Sequence, residues 1–112
     1  MQLRSSPSSP FGRKVKMATY IFGFDTQVTP VLTDTLDHND SICDVNPLGK
    51  IPALEDCGAI YYDSRVIMEY LDAKAGGGKI IPASGPARYE ALTRAALMDG
   101  ILDAAVLVIY ER

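Results

Sequence analysis

The stretch Asn46-Pro47-Leu48-Gly49-Lys50-Ile51-Pro52-Ala53-Leu54 constrains this chain more than any other. Asn46, Pro47 and Gly49 are turn formers, because proline fixes its own φ and glycine takes positive φ without strain. Ala53-Leu54, directly after Pro52, reads as the start of a strand. Proline is accepted at the first position of a strand because it has no N–H to offer the ladder. A cis Ile51–Pro52 bond would turn the backbone N–H and C=O of Ile51 outward, where an extended peptide can pair with them as one more strand. Cis bonds are only about 5–6% of X–Pro bonds in folded proteins, so the stretch alone leaves an ordinary loop-to-strand proline open.

Composition bounds what surrounds this turn. With 112 residues, the chain holds one small domain, or one domain and a fragment of another. A hydrophobic share of 47% with 22% charged residues is globular composition and argues against disorder. Eleven Lys and Arg against fourteen Asp and Glu give a net charge of −3. That balance, without any basic run, offers no electrostatic footprint for nucleic acid. The apolar runs are shorter than a membrane span, and Met1-Gln2-Leu3-Arg4-Ser5-Ser6 lacks the apolar centre of a secretory signal. The expected location is therefore the cytoplasm, with neither membrane nor nucleic acid as partner. Cys43 and Cys57 are too few and too far apart for a metal cluster or a Cys-x-x-Cys pair, and His38 is the single histidine. No metal site is expected, and both cysteines read as structural or incidental.

Taken in order, residues 2–5 form a short strand with Leu3 inward, and Ser5 to Ser9 form a loop. Ser9-Pro10 is a helix start, with Ser9 as N-cap and Pro10 at the first helical position. Phe11, Val15, Ala18 and Phe22 follow at i, i+4, i+7 and i+11, an apolar stripe of helical period, and Gly23 ends it. Val28 to Leu32 reads as a strand, placed at a sheet edge by Pro30. Residues 33–45 are a polar loop with a short irregular helix. After Pro52 come a strand to Glu55, a turn at Asp56-Cys57-Gly58 and a second strand from Ala59 to Tyr62, which together make a hairpin. Asp63-Ser64 caps another helix whose buried face is expected to hold Val66, Ile67, Tyr70 and Leu71. Gly76, Gly77 and Gly78 stop it.

The order βαβ, hairpin, helix is an α/β layer structure with four strands in residues 1–75. Residues 76–86 are a linker by composition, and residues 87–112 become helical. A helix of 26 residues would run roughly 39 Å. It carries more apolar positions than a lone helix in water tolerates, so it requires a packing partner, and the helical domain it opens is expected to be incomplete. Gly100 in mid-helix costs about 1 kcal/mol relative to Ala, which points to a close helix–helix approach there.

Ser9, Ile51-Pro52 and Asp63-Ser64 fall at one end of the small sheet, and two of the three are helix N-termini that favour an anion. Three segments in this order, Ser-x-x-Ser-Pro-Phe-x-Arg-Lys-Val (6–15), Asn-Pro-Leu-Gly-Lys-Ile-Pro-Ala-Leu (46–54) and Asp-Ser-Arg-Val-Ile-x-Glu-Tyr-Leu (63–71), resemble the glutathione transferase family. The resemblance is to its Ser-type, bacterial-like members and implies a thioredoxin-like four-stranded mixed sheet followed by the first helix of an all-α domain. It implies glutathione as co-substrate with no other cofactor, a small hydrophobic electrophile, a homodimer and a detoxifying transferase activity.

Position by position, the family's cis-proline falls on Pro52, and the backbone of Ile51 would pair with the cysteinyl part of glutathione. Asp63 and Ser64 fall where the γ-glutamyl carboxylate is held, with Ser64 and its N–H as the donors at the helix start. Lys50, and His38 in the variable loop, fall where basic residues touch the glycyl end. Asp103 resembles an acidic residue that reaches the glutathione of a neighbouring subunit. Ser9 resembles the activating serine; Ser5, Ser6 and Ser8 are close enough for a one-step register error, with Ser6 the first substitute. A free thiol has a pKa of about 8.5, and lowering it by about two units requires roughly 2.7 kcal/mol of preference for the anion. A hydroxyl donating to a charged sulfur gives about 1.5–3 kcal/mol and a helix end adds roughly 0.3–1, which together suffice.

Plainer roles stand beside these. Ser9 also serves as an N-cap, Arg13 and Arg65 suit surface ion pairs, and Tyr61, Tyr62 and Tyr70 suit packing. Met98 and Tyr110 fit an electrophile pocket or a core equally. Two alternatives to the transferase remain: a non-catalytic glutathione-binding or interaction module, and a glutathione-dependent thiol–disulfide oxidoreductase. The latter wants a cysteine at or next to Ser9, and there is none.

Overall fold

The computed structural model describes residues 1–34, 37 and 40–110. His38 lies outside them. The chain divides into two compact units, Met1–Leu71 and Asp72–Arg112. Its elements are β1 (Gln2–Ser5), α1 (Pro10–Ile21), β2 (Thr29–Leu32), α2 (Ile42–Val45), β3 (Ala53–Asp56), β4 (Ala59–Tyr61), α3 (Ser64–Lys74) and α4 (Gly85–Tyr110).

The first unit is built on one mixed sheet of order β2-β1-β3-β4. β1 pairs parallel with β2 and antiparallel with β3, and β3 pairs antiparallel with β4. The thioredoxin-like arrangement expected from the resemblance is what forms, and Pro30 does lie on an edge strand. Register sets the core. Leu3 stands opposite Leu54, and Leu54 opposite Tyr61, so side chains of one face line up across three strands. Leu3 and Leu54 then pack with Val15 and Ala18 of α1 and with Ile67 and Leu71 of α3. Each of these large aliphatic side chains is at most 1% exposed, a burial that contributes about 1.5–3 kcal/mol apiece.

Helix ends follow local chemistry. Ser9 caps α1 by accepting the Gly12 N–H at 3.0 Å, Pro10 begins the helix, and Gly23 takes φ +76 just past its end. In α3 the buried face differs from expectation. Ser64, Ile67 and Leu71 are buried and Tyr70 is half-buried, whereas Val66 is 44% exposed. Residues 64, 67 and 71 follow the i, i+3, i+7 spacing, and Val66 falls off that face.

In the second unit, the buried carboxylate of Asp72 organises the chain after the three glycines. It accepts the N–H groups of Lys79 (2.9 Å), Ile80 (3.3 Å) and Ile81 (3.0 Å). α4 starts at Gly85, two residues before the expected Ala87. Its exposed apolar side chains include Leu97, Met98, Ile101, Leu107, Val108 and Ile109. A Cβ added at Gly100 would meet nothing within 4 Å, so the close approach expected there is not made among the described residues. Among the described residues no helix is long and apolar enough to cross a membrane.

Candidate functional site

Strand register brings three connections to one end of the sheet. Arg4 near the end of β1 stands opposite Ala53 at the start of β3, and Leu54 stands opposite Tyr61 at the end of β4. The loop after β1, the turn before β3 and the passage from β4 into α3 therefore emerge side by side. Ser9, Lys50-Ile51-Pro52 and Asp63-Ser64 sit on those three connections.

In the first, Ser9 is half-buried in extended backbone (φ −81, ψ 117) at the head of α1. Its Oγ accepts the Gly12 N–H, and an accepting hydroxyl still has its own proton to donate. Ser6 and Ser8 are tied to each other, with their Oγ atoms 2.9 Å apart and the Ser8 N–H donating to Ser6 Oγ at 3.3 Å. Arg13 Nε donates to the Pro7 carbonyl at 2.9 Å and so braces the loop. The end of β1 and the first turn of α1 approach closely: a Cβ at Gly12 would lie 1.9 Å from Ser5 Oγ.

The second connection is the turn over residues 46–52. Gly49 has φ +63 and the Ile51–Pro52 bond is cis. The β1–β3 ladder runs only as far as Ala53, which leaves the Ile51 backbone beyond the paired strand. Pro52 is buried, Ile51 half-buried and Lys50 exposed. Asn46, read from sequence only as a turn former, is 2% exposed and hydrogen-bonded through its side chain on both ends. An Asn before a turn proline is the signal for such a role, since Asx side chains bond the backbone two residues on.

At the third, the Tyr62–Asp63 bond is also cis, and Asp63 stands just ahead of α3. Its Oδ1 accepts the Arg65 N–H at 3.0 Å, which makes it the helix cap. Its Oδ2 lies 2.8 Å from Arg65 Nη2, the surface ion pair expected for Arg65. The Arg65 guanidinium bond holds the Asp63 carboxyl below its ordinary pKa. Ser64 is buried at 4% exposure, with its N–H in the helix's first turn.

Two other predicted residues belong to the second unit. Asp103 is exposed on α4 in the second unit, and Met98 of the same helix is exposed too. His38 and the Tyr110 side chain lie outside the described residues.

The opposite end of the sheet holds features that no sequence pattern announced. An open hollow of about 340 Å³ is lined by Met1, Gln2, Glu55 and residues 56–60 of the hairpin turn. Buried Asp56 there accepts the Tyr70 hydroxyl, and Cys57 Sγ donates to its other oxygen at 3.5 Å. Tyr70 stacks on Tyr61 with ring centroids 4.1 Å apart, and its bond to Asp56 pushes its pKa far above the usual tyrosine value. No group of three or more His, Cys, Asp or Glu that could hold a metal occurs among the described residues.

The fold is thus a thioredoxin-like sheet with two helix N-termini and the turn proline Pro52 at one rim. The family model for the N-terminal domain of glutathione S-transferases matches residues 3–79, and this chain belongs to the glutathione S-transferase family. A glutathione transferase family member from Pseudomonas fluorescens Pf-5, solved with bound glutathione, superposes with a TM-score of 0.90 at 44% identity over 98% of this chain. The same family member has been solved with S-(propanoic acid)-glutathione, at a TM-score of 0.84 and 46% identity over 99% of this chain. Among sequence relatives, the uncharacterized GST-like protein YibF of Escherichia coli K12 is 29% identical over the whole chain, and glutathione S-transferase 3 of Zea mays is 33% identical over 78% of it. This chain covers 55% of the Pseudomonas chain and of YibF, and 40% of the maize protein, about half the length of the relatives it matches.

Proposed function

We propose that the chain binds glutathione along the rim where the three connections meet, and that the whole protein uses it as a transferase. The observation that carries this reading is the convergence of two capped helix N-termini, at Ser9 and Asp63, on the unpaired strand extension at Ile51. Backbone N–H and C=O of Ile51 pair with the main chain of the cysteinyl residue, and Lys50 faces the glycyl carboxylate. The Ser64 N–H and hydroxyl hold the γ-glutamyl carboxylate, aided by the positive end of α3. Asp63, itself an anion, takes the γ-glutamyl ammonium, and its ion pair with Arg65 keeps the helix end from repelling the neighbouring carboxylate.

Ser9 then supplies the chemistry. Its hydroxyl donates to the glutathione sulfur, which loses its proton to solvent and is held as thiolate. The thiolate attacks an electrophilic carbon, a carbon–sulfur bond forms, and the leaving group departs with its electron pair. That a relative at 46% identity holds a glutathione thioether supports a product of this kind. In this reading, residues 1–75 are the glutathione-binding domain, residues 76–86 the linker, and residues 87–112 open a helical domain.

Isothermal titration with glutathione, followed by conjugation of a chlorodinitrobenzene-type electrophile, tests the reading. Binding with turnover that Ser9→Ala abolishes supports it, and absence of binding refutes it. A second reading, the non-catalytic binding module, is favoured by the use of Ser9 Oγ as a helix cap. Binding without turnover in the full-length protein selects that one.

A further inference from the structure

Asn46 lies buried in the turn that leads to Ile51. All four of its polar groups are used locally. Its N–H donates to the Ile42 carbonyl at 2.8 Å and its carbonyl accepts the Gly49 N–H at 2.8 Å. Its Oδ1 accepts the Leu48 N–H at 3.0 Å, and its Nδ2 donates to the Lys50 carbonyl at 2.9 Å. Pro47, Leu48 and Lys50 are exposed, so apolar packing does little to define the turn, while Asn46 is 2% exposed.

The Nδ2 bond matters most. The Lys50 carbonyl and the Ile51 N–H belong to one planar peptide unit, so a hydrogen bond that fixes the first also aims the second. We infer that Asn46 is a positioning residue: its carboxamide orients the Lys50–Ile51 peptide plane and thereby presents the Ile51 N–H to a bound tripeptide. Asparagine is the residue type that meets both demands. Aspartate offers the acceptor for Leu48 without a donor for Lys50, serine reaches Leu48 but stops short of Lys50, and alanine does neither. This inference rests on the glutathione reading for its ligand, and on the turn alone for its geometry.

The test uses Asn46→Asp, Asn46→Ser and Asn46→Ala in the full chain, with glutathione affinity by calorimetry, amide exchange at Leu48 and backbone order parameters at Ile51. Asn46→Ala removes two hydrogen bonds worth roughly fivefold each and should weaken glutathione by about 25-fold. Asn46→Asp should keep Leu48 protected, loosen Ile51 and bind about fivefold more weakly near neutral pH. Its affinity should recover as pH falls, because burial raises this carboxyl and its protonated form can again donate to Lys50. Protection of the Val15 and Ala18 amides controls for general loosening. If Asn46→Ala fails to fold, Asn46→Asp and Asn46→Ser carry the same comparison. Unchanged Ile51 order and unchanged affinity in Asn46→Asp would overturn the inference. A parent chain that does not bind glutathione refutes the reading of the preceding subsection instead, and Ile51 order in Asn46→Asp still decides whether Asn46 sets the turn.

Discussion

Replacing Ser9 by both alanine and glycine separates the two jobs proposed for one hydroxyl. As N-cap, Ser9 Oγ accepts the Gly12 N–H at 3.0 Å. Losing such a cap to alanine costs about 1 kcal/mol, whereas glycine in its place costs only about a few tenths. As activator, the hydroxyl donates to a charged sulfur, an interaction of about 1.5–3 kcal/mol, or roughly 1–2 pKa units at about 1.36 kcal/mol per unit. Urea unfolding reads the first effect, and thiolate absorbance of bound glutathione against pH reads the second. Ser9→Ala should lower stability by about 1 kcal/mol and raise the bound thiol by roughly 1–2 units. Ser9→Gly should leave stability nearly intact and raise the thiol equally, and Ser9→Thr should preserve both. A thiol pKa that stays put in Ser9→Ala and Ser9→Gly would reduce Ser9 to a helix cap.

Three further outcomes follow from packing and charge. Gly12→Ala places a methyl 1.9 Å from Ser5 Oγ in a buried corner, so it should destabilise by roughly 1–3 kcal/mol; Ser5→Gly in the same chain should restore most of that in denaturant unfolding. Leu54→Ala, at 0% exposure, should cost about 2–5 kcal/mol, while Leu48→Ala at 68% exposure should stay within about 0.5 kcal/mol; equal costs would contradict the assigned core. Tyr70 has a pKa raised by Asp56, so the stabilisation from that bond is complete below about pH 10 and is lost as pH climbs through the folded-state value. Tyrosinate absorbance should show a late ionisation step, and Tyr70→Phe should remove it.

What sequence could reveal here tracks how local the cause is. The cap at Ser9, the strand that opens directly after Pro52, the edge role of Pro30 and the helix stop before the three glycines each depend on one or two residues and their neighbours. Val66 was drawn into the α3 core because it is apolar, but the face of that helix is set by what it meets, Leu3 and Leu54 across the sheet. The start of α4 moved by two residues because the loop before it is gathered by Asp72, whose partners lie seven to nine residues away. Asp56 and Tyr70 meet across fourteen residues, a pairing that only the folded hairpin creates. At the rim, the three connections could be placed at one end by topology, whereas the bond from Asn46 to the Lys50 carbonyl is visible only once the turn is closed.

The most direct test of the account is where glutathione touches the chain. Amide chemical shifts recorded during a glutathione titration should move together at Gly12, Ile51 and Arg65, one from each connection at the Ser9 end of the sheet. Shifts confined to Met1 and residues 55–60, around the hollow at the opposite end, or no shifts at millimolar glutathione, would contradict it.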